Sequence, residues 1–169
     1  MSTREVTNVF MQNASRCAAG TRLARTSEEL HQTLNEVLGE ESPVYCPRVT
    51  ALERALGFLG DRVTDDMFQA AVTVEEVDAA IAETGSVVST SAHGRAVQGS
   101  ILPSHHVAIV AEDNVFATLD DFFAWLGEAP PTNVTLISGP SRTADIELTL
   151  TIGVHGPEKL DVILVSGRG

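Results

Sequence analysis

The chain has 169 residues, of which 43% are hydrophobic and 20% charged, and its formal net charge at pH 7 is −12. This length allows one substantial hydrophobic core and is short for two ordinary domains, so we expect a single domain. Residues 61–130 hold 12 of the acidic residues and 2 of the basic ones. Because non-specific binding to nucleic acids and anionic lipids needs Lys and Arg, neither is an expected partner. The acidic middle is interpreted as a solvated surface, with steering of a basic partner protein as the alternative.

The cysteines and the apolar runs limit the location and the chemistry. Cys17 and Cys46 are separated by 28 residues, without a Cys-x-x-Cys motif. The chain alone therefore lacks the ligand set of an iron-sulfur cluster or a zinc knuckle, and we expect two unpaired structural thiols and no metal site. No segment resembles a signal peptide, and no apolar run approaches the ~20 residues that span a bilayer. We expect a cytoplasmic protein.

The N-terminal third contains two helix-start signals. Residues 1–20 are polar with little periodicity, which fits either a frayed arm or a helix that docks on a partner. The pairs Thr26 with Glu29 and Thr50 with Glu53 have the spacing of a capping box, in which side chains satisfy the first N–H groups of a helix. Both pairs predict helices.

A third pair of this kind, Thr73 with Glu76, predicts a helix in which Val74, Val77 and Ile81 recur at helical spacing. On this prediction the apolar side chains face the core. The acidic residues of the segment, which include Glu75, then lie on the solvated side.

The second half of the chain favours a sheet. Apolar runs at 86–90, 107–111, 134–138 and 162–165 predict buried strands, and Thr118 is expected to cap a helix. Strands that are apolar throughout and separated by helical patterns are typical of a mainly parallel sheet flanked by helices. The fold class predicted from the residues is α/β.

Two segments near the end are expected to form a ligand site. Residues 138–147 read Ser-Gly-Pro-Ser-Arg-Thr-Ala-Asp-Ile-Glu, and residues 153–157 read Gly-Val-His-Gly-Pro. The first has the order strand, tight loop and helix start, with the helix from about Thr143. Unpaired N–H groups and the dipole at a helix start attract anions, and Gly and Ser allow close approach. In open parallel sheets such sites lie beyond the carboxyl ends of the strands.

Together with the blocks at 80–86 and 102–110, these two segments resemble the LUD domain family of lactate-utilisation protein C. The resemblance covers about residues 70–166. It implies an α/β fold like that of the glucosamine-phosphate isomerases, ribose-phosphate isomerases and CoA-transferases. We therefore predict a helical N-terminal part of the domain at residues 1–69 and a LUD-type α/β core at residues 70–169.

The resemblance also implies a function. The family member would be a non-redox subunit that binds a small anionic ligand and works beside iron-sulfur proteins in the bacterial oxidation of lactate to pyruvate. Iron-sulfur clusters are then expected in the partner proteins and no cofactor in this chain. Two alternatives stay open: a stand-alone CoA-transferase-like or sugar-phosphate-type enzyme, and a regulatory ligand-binding module.

Three residues are candidates for catalysis. Glu83, which precedes Thr84 and Gly85, resembles the glutamate of the CoA-transferase turn, whose carboxylate attacks an acyl thioester. Capping of backbone donors in a neighbouring loop is the alternative for Glu83. His106 is a candidate acid, base or carboxylate ligand, with a hydrogen bond to neighbouring backbone as the alternative. His155, between Gly153 and Gly156, is the third candidate, with a purely structural turn as the alternative.

The candidate ligand-binding residues lie in the same sequence segments as these three or close to them. They are Thr84, Gly85, Ser138, Gly139, Ser141, Arg142, Thr143, Asp145 and Gly156. The guanidinium of Arg142 matches the two oxygens of a substrate carboxylate, but an internal pair with Asp145 or Glu147 is the default interpretation. A Ser-His-Asp hydrolase is a weak interpretation, since the G-x-S-x-G elbow is absent.

Overall fold

The computed structural model describes residues 1–47, 57–92, 97–141 and 156–166. Within these ranges the α-helices are α1 (Thr3–Arg16), α2 (Ser27–Leu38) and α3 (Leu119–Leu126). The strands are β1 (Gly20–Ala24), β2 (Val44–Tyr45), β3 (Val63–Thr64), β4 (Val72–Glu76), β5 (Ala79–Ile81), β6 (Ser86–Thr90), β7 (His105–Ala111), β8 (Val115–Phe116), β9 (Val134–Ile137) and β10 (Lys159–Val165). None of the described helices is both long enough and apolar enough to cross a bilayer.

The strands form two sheets. The larger has six parallel strands in the order β1-β10-β7-β4-β2-β3. The smaller has the order β8-β5-β6-β9, and its β5-β6 and β6-β9 pairs are antiparallel. The predicted α/β fold with a mainly parallel sheet is confirmed, and so are the four predicted strands.

Both faces of the parallel sheet are covered, which explains why β7 and β10 are apolar along most of their length. On one face, Leu30, Leu34 and Leu38 of α2 pack on the central strands. On the other face lie α1, through Phe10 and Ala14, and the smaller sheet. The outer face of the smaller sheet is covered by α3. The two sheets therefore share a core with α1 at its border.

Local capping explains where the helices begin. The Thr26 hydroxyl accepts a hydrogen bond from Glu29 N at 3.1 Å, and Thr118 forms a capping box with Asp121, so both predicted helix starts are confirmed. Residues 1–20, for which two interpretations were open, contain α1, which begins after its own Ser2 cap. The Thr50 and Glu53 pair lies outside the described residues.

The helix predicted at Thr73 is wrong. The segment forms β4 and β5, and the helical spacing of Val74, Val77 and Ile81 arises from two short strands joined by a turn. The β-branched residues here favour extended backbone, and pairing with β2 and β7 places β4 inside the sheet, where the layers on either side bury both of its faces. Glu75 consequently lies in the core rather than in solvent.

Residues 1–69 contribute strands as well as the expected helices. Strand β1 pairs with β10, and β2 pairs with both β3 and β4. The sequence of β1, Gly-Thr-Arg-Leu-Ala, is too polar to show a strand pattern, because it lies at the edge of the parallel sheet. The division at residue 69 stays a prediction.

Candidate functional site

Three hydroxyl groups meet where β6 begins and β9 ends. The Ser86 Oγ donates a hydrogen bond to Thr84 Oγ1 at 2.8 Å, and it lies 2.6 Å from Ser138 Oγ. They meet because β6 and β9 are antiparallel, with Val87 opposite Ile137. We call these three residues the hydroxyl cluster; two of its members, Thr84 and Ser138, were predicted site residues.

The end of α1 packs beside this cluster, against the glycines that adjoin it. Gly85, at φ +65°, lies against the backbone of Ala14, and Gly139, at φ +84°, lies against the carbonyl oxygen of Cys17. A Cβ atom at either glycine would overlap these backbone atoms, and both φ values disfavour L-residues. The two predicted glycines thus allow α1 to approach the hydroxyl cluster closely.

Glu83 makes a capping contact. Its Oε1 accepts a hydrogen bond of 2.6 Å from Leu119 N, the first residue of α3, while its backbone is held by Asn13 and Ala117. A carboxylate at this position satisfies a free N–H group and complements the helix dipole. This is the structural role that the sequence allowed for Glu83. The residue follows β5, and the helix expected before it is absent.

The two predicted loops come together at Ser141 and Gly156. The Ser141 N–H donates to the Pro157 carbonyl oxygen at 2.7 Å, and the Gly156 N–H donates to Ile101 at 3.2 Å. A Cβ atom on Gly156 would lie 3.0 Å from Ser141 Cβ, so the loops pack tightly. The remaining predicted residues of this region lie outside the described ranges: Arg142, Thr143, Asp145 and His155.

The position of these loops differs from the expected one. Gly139 does follow the carboxyl end of β9, but β9 belongs to the smaller sheet. In the parallel sheet the neighbouring elements are the start of β1, just after Cys17, and the start of β10, just after Pro157. The loops therefore lie at the amino edge of the parallel sheet: Gly139 follows the carboxyl end of a strand as expected, but that strand is not part of the parallel sheet.

His106 belongs to a second polar group, which is fully buried. Its Nε2 lies 3.2 Å from Glu75 Oε1. The Ser100 Oγ donates to the same carboxylate oxygen and lies 3.1 Å from Ser89 Oγ. All four residues have a solvent exposure of 0%. We call His106, Glu75, Ser100 and Ser89 the buried polar group; within the described residues, no hydrogen bond or ion pair connects it with Glu83.

His105, on the opposite face of β7, lies in a charge network that the sequence did not reveal. Its Nδ1 is 3.0 Å from Glu41 Oε2, and its Nε2 is 3.0 Å from Asp161 Oδ2. Arg22 contacts Asp161 at 2.6 Å, and Lys159 lies 3.4 Å from it. These residues are far apart in the chain, so only the strand alternation that separates His105 from His106 could have pointed to them.

Comparison with known proteins assigns the family. The family model described as the LUD domain matches residues 59–165. The chain belongs to the LUD domain family. The matched range contains every candidate catalytic and ligand-binding residue of this LUD domain, from Glu83 to Gly156.

Relatives of the LUD domain chain carry the name Lactate utilization protein C. The protein of Halalkalibacterium halodurans is 34% identical over 115 residues, which are 64% of this chain and 50% of that protein. The protein of Geobacillus thermodenitrificans is 33% identical over 143 residues, which are 80% of this chain and 58% of that protein. The chain thus spans about half the length of the curated relatives it matches.

A solved structure confirms the fold. The crystal structure of a DUF162 family protein from Deinococcus radiodurans matches this LUD domain with a TM-score of 0.74 and 23% sequence identity. The match covers 98% of this chain and 99% of that chain, so the two proteins share the α/β fold seen in the described residues.

Two side chains of the LUD domain, those of Asp161 and Cys46, have shifted pKa values, and in both cases the shift makes the group unreactive near neutral pH. Burial alone opposes ionisation of Asp161, but hydrogen bonds from His105 and Arg22 and the nearby Lys159 outweigh it and hold its pKa well below the usual range. Burial raises the pKa of the Cys46 thiol to about 11, which keeps it protonated near neutral pH. Asp161 is thus a fixed anion and Cys46 a poor nucleophile.

The cysteines agree with the prediction of unpaired thiols. Cys17 and Cys46 form no disulfide, and the Cys17 Sγ lies 3.9 Å from the carbonyl oxygen of Thr84. In the described part of the chain, no group of three or more His, Cys, Asp or Glu side chains is arranged to hold a metal ion.

Proposed function

We propose that this LUD domain acts in lactate utilisation, as a non-redox subunit of an iron-sulfur complex that oxidises lactate to pyruvate. The observation that carries the proposal is the 33% identity with a Lactate utilization protein C over 80% of this chain. We further propose that this subunit binds a small anionic ligand.

The hydroxyl cluster and the glycines next to it are the structural feature that supports ligand binding. Thr84, Ser86 and Ser138 bring three hydroxyl groups to one point, and hydroxyl groups can donate to the oxygens of a small anion. Gly139 brings the backbone close to the same point. The cluster lies at the edge where β1 and β10 begin.

The chemistry of the proposed reaction supports a role beside redox partners. Oxidation of lactate to pyruvate removes two electrons and two protons, so an electron acceptor must take part. An iron-sulfur cluster usually requires four cysteine ligands, whereas this chain has two, and the Cys46 thiol is held protonated. In the proposed complex the partner proteins therefore hold the clusters.

The stand-alone enzyme that uses Glu83 as nucleophile has less support. The carboxylate of Glu83 already accepts a short hydrogen bond from Leu119 N, which lowers its nucleophilicity and gives it a structural purpose. In a mechanism of this kind the same carboxylate would have to attack the acyl thioester while it caps α3.

The assembly is tested by anaerobic purification of the tagged chain from its own cells, followed by mass spectrometry and an assay of lactate-dependent reduction of a dye. We expect iron-sulfur proteins in stoichiometric amounts and dye reduction that requires both them and this chain. A chain that elutes alone, together with dye reduction by the partners without it, would contradict the proposal.

Ligand binding is tested separately by calorimetry with L-lactate, pyruvate and inorganic phosphate. Ser138→Ala removes a hydroxyl of the cluster, and we expect about 5-fold weaker binding, since one hydrogen bond contributes about 1 kcal/mol. Ser27→Ala, which removes an exposed hydroxyl at the start of α2, is the matched control. Equal affinity of both variants would mean that the hydroxyl cluster does not bind the ligand.

A further inference from the structure

We propose that Glu75 and His106 form an acid–base dyad, in which Glu75 positions the imidazole and His106 Nδ1 exchanges a proton with a hydroxyl group of a small ligand. Glu75 was not a candidate from the sequence. The identification of the ligand as a 2-hydroxy acid such as lactate rests on the proposed function, whereas the dyad itself rests on the geometry alone.

The register of the parallel sheet brings the two side chains to one face. Tyr45 lies beside Thr73, and Thr73 lies beside His106, so these three residues form one row across β2, β4 and β7. Paired residues of parallel strands point to the same side, and so do residues two apart on one strand. Glu75, two residues after Thr73, therefore shares the face of His106 and is its diagonal neighbour.

Packing alone does not explain a carboxylate and an imidazole at this place. Glu75 and His106 are both fully buried, and the residue beside Glu75 on β7 is Ala108, which belongs to the hydrophobic core. Burying a charge or a polar ring is costly unless partners compensate it, and an apolar pair would suit the same core. Buried ionisable pairs of this kind are a frequent feature of functional sites.

The contacts indicate which ring nitrogen carries the proton. The carboxylate of Glu75, which accepts a hydrogen bond from Ser100, lies on the Nε2 side of His106 at 3.2 Å. An anion at this distance favours a proton on Nε2, so in the neutral ring the lone pair is on Nδ1. The Nε2 atom of His106 and the Oε1 atom of Glu75 are close, but their angles do not meet those of a hydrogen bond. Long or poorly aligned contacts of this kind are common between catalytic groups before a ligand binds.

The other nitrogen is available for a ligand. Both ring nitrogens of His106 are buried and have no aligned hydrogen bond among the described residues, but only Nε2 has a carboxylate beside it, so Nδ1 is the nitrogen left without any polar neighbour there. Buried polar atoms nearly always have a partner, so a nitrogen in this state is expected where a ligand supplies it. A carboxylate on one ring nitrogen and a reacting group on the other is the arrangement by which acid–histidine pairs act as general bases.

His105 shows what a purely structural histidine looks like in the same strand. Both of its ring nitrogens lie 3.0 Å from carboxylate oxygens, one of Glu41 and one of Asp161. No nitrogen of His105 is left for a ligand. The two adjacent histidines of β7 therefore have different roles, and His105 is an internal reference for His106.

The proton step is simple. The O–H bond of the ligand breaks, a bond forms between His106 Nδ1 and the proton, and the electron pair stays on the ligand oxygen. The neutral imidazole becomes an imidazolium, which the Glu75 carboxylate stabilises. Tyr45, which is partly exposed, lies in the same row on β2; burial, followed by the charges of Glu75 and Asp65, raises the pKa of its phenol.

The dyad is tested by long-range proton–nitrogen NMR spectra of protein labelled with ¹⁵N-histidine, with His106→Asn used to assign the ring. We expect free His106 to carry its proton on Nε2, and Glu75→Gln to abolish this single tautomer, whereas Glu76→Gln, the neighbouring carboxylate, leaves it unchanged. If Glu75→Gln does not fold, the wild-type spectrum still decides, and Ser100→Ala replaces it as the milder change. A proton on Nδ1 in the free wild-type protein overturns the dyad.

The ligand step is tested in the same samples with L-lactate and with pyruvate, which lacks the hydroxyl group. We expect lactate to shift the Nδ1 resonance of His106 and leave the resonances of His105 unchanged, pyruvate to leave Nδ1 unprotonated, and Glu75→Gln to weaken lactate binding about 10-fold. Lactate that binds by calorimetry without any change at His106 overturns the ligand step and leaves the proposed function intact. Absence of redox partners, in contrast, contradicts the proposed function and not the dyad.

Discussion

Substitution of Gly139 by alanine tests whether the packing of α1 on the loop after β9 holds the candidate site together. Gly139 has φ +84°, and a Cβ atom there would overlap the Cys17 carbonyl oxygen and lie 3.1 Å from Cys17 Cβ. The left-handed backbone costs an L-residue about 1–2 kcal/mol. The displacement needed to relieve the overlap adds about 1–3 kcal/mol. We therefore expect Gly139→Ala to lower the free energy of unfolding by about 2–5 kcal/mol.

The matched control is Gly127→Ala at the end of α3. Gly127 has a similar φ of +76°, but no atom lies within 4 Å of the position of its Cβ. With φ 76° and ψ −166°, Gly127 lies in a backbone region that L-residues rarely adopt, so this variant should lose only a backbone contribution of about 1–3 kcal/mol. Urea unfolding of both variants and of the wild type, followed by circular dichroism, gives the two free energies.

The difference between the variants isolates the contact of Gly139 with α1. If both lose the same free energy, the overlap is relieved without cost and α1 does not fix the loop. Because Ser138 adjoins Gly139, we also expect a displaced loop to weaken ligand binding in Gly139→Ala and to leave it unchanged in Gly127→Ala. Unchanged binding in a destabilised Gly139→Ala would separate the hydroxyl cluster from ligand binding.

Three further predictions concern charge and reactivity. Asp161→Asn, which leaves the Arg22 and His105 contacts without an anion, should lower the free energy of unfolding by about 3 kcal/mol in urea titrations at pH 7. Because folding lowers the pKa of Asp161 from 3.8, its ionised form stabilises the protein above that pH, and this stabilisation is lost as the pH falls below it. In Asp161→Asn the free energy of unfolding should therefore fall less steeply with decreasing pH. The same pH dependence in the variant and the wild type would contradict the reasoning. Glu83→Gln should cost about 0.5 kcal/mol through its weaker cap on α3, and detection of a covalent acyl group on wild-type Glu83 after incubation with a CoA thioester would show that capping is not its only role. Cys46 should react with iodoacetamide at pH 8 about 100-fold more slowly in the folded protein than in urea, since its pKa rises from 9.0 to about 11, and equal rates by mass spectrometry would refute this.

The elements that could be predicted are those specified by local contacts or by continuous burial. The caps at Thr26 and Thr118 involve side chains within three residues of each other, so their sequence spacing already contains the interaction. The strands β7 and β10 are buried on both faces and read as apolar runs. The same spacing at Thr73 was misleading, because the pairing of β4 with β2 and β7 outweighs a local cap.

The candidate site was predicted in part for the same reason. The approach of Thr84 and Ser138 follows from turns that flank recognisable strands. Glu75 was missed because the wrong helix placed it on a solvated face, whereas the strand places it beside His106. A period of 3.6 instead of 2 moves a residue from one face to the other, so this single error hid the carboxylate of the buried polar group.

The amino edge of the parallel sheet, rather than the carboxyl edge, collects the polar chemistry of this LUD domain. Both histidines of β7 stand at its first two positions, and Asp161 lies near the start of β10. The hydroxyl cluster lies at the start of β6, whereas Ser89 of the buried polar group lies three residues further on, about 10 Å along the strand. Strand β6 therefore links the two polar groups while keeping them apart. An anion bound at the hydroxyl cluster and a 2-hydroxy acid that exchanges a proton with His106 would therefore occupy separate sites, which is why the two groups require separate variants and separate measurements.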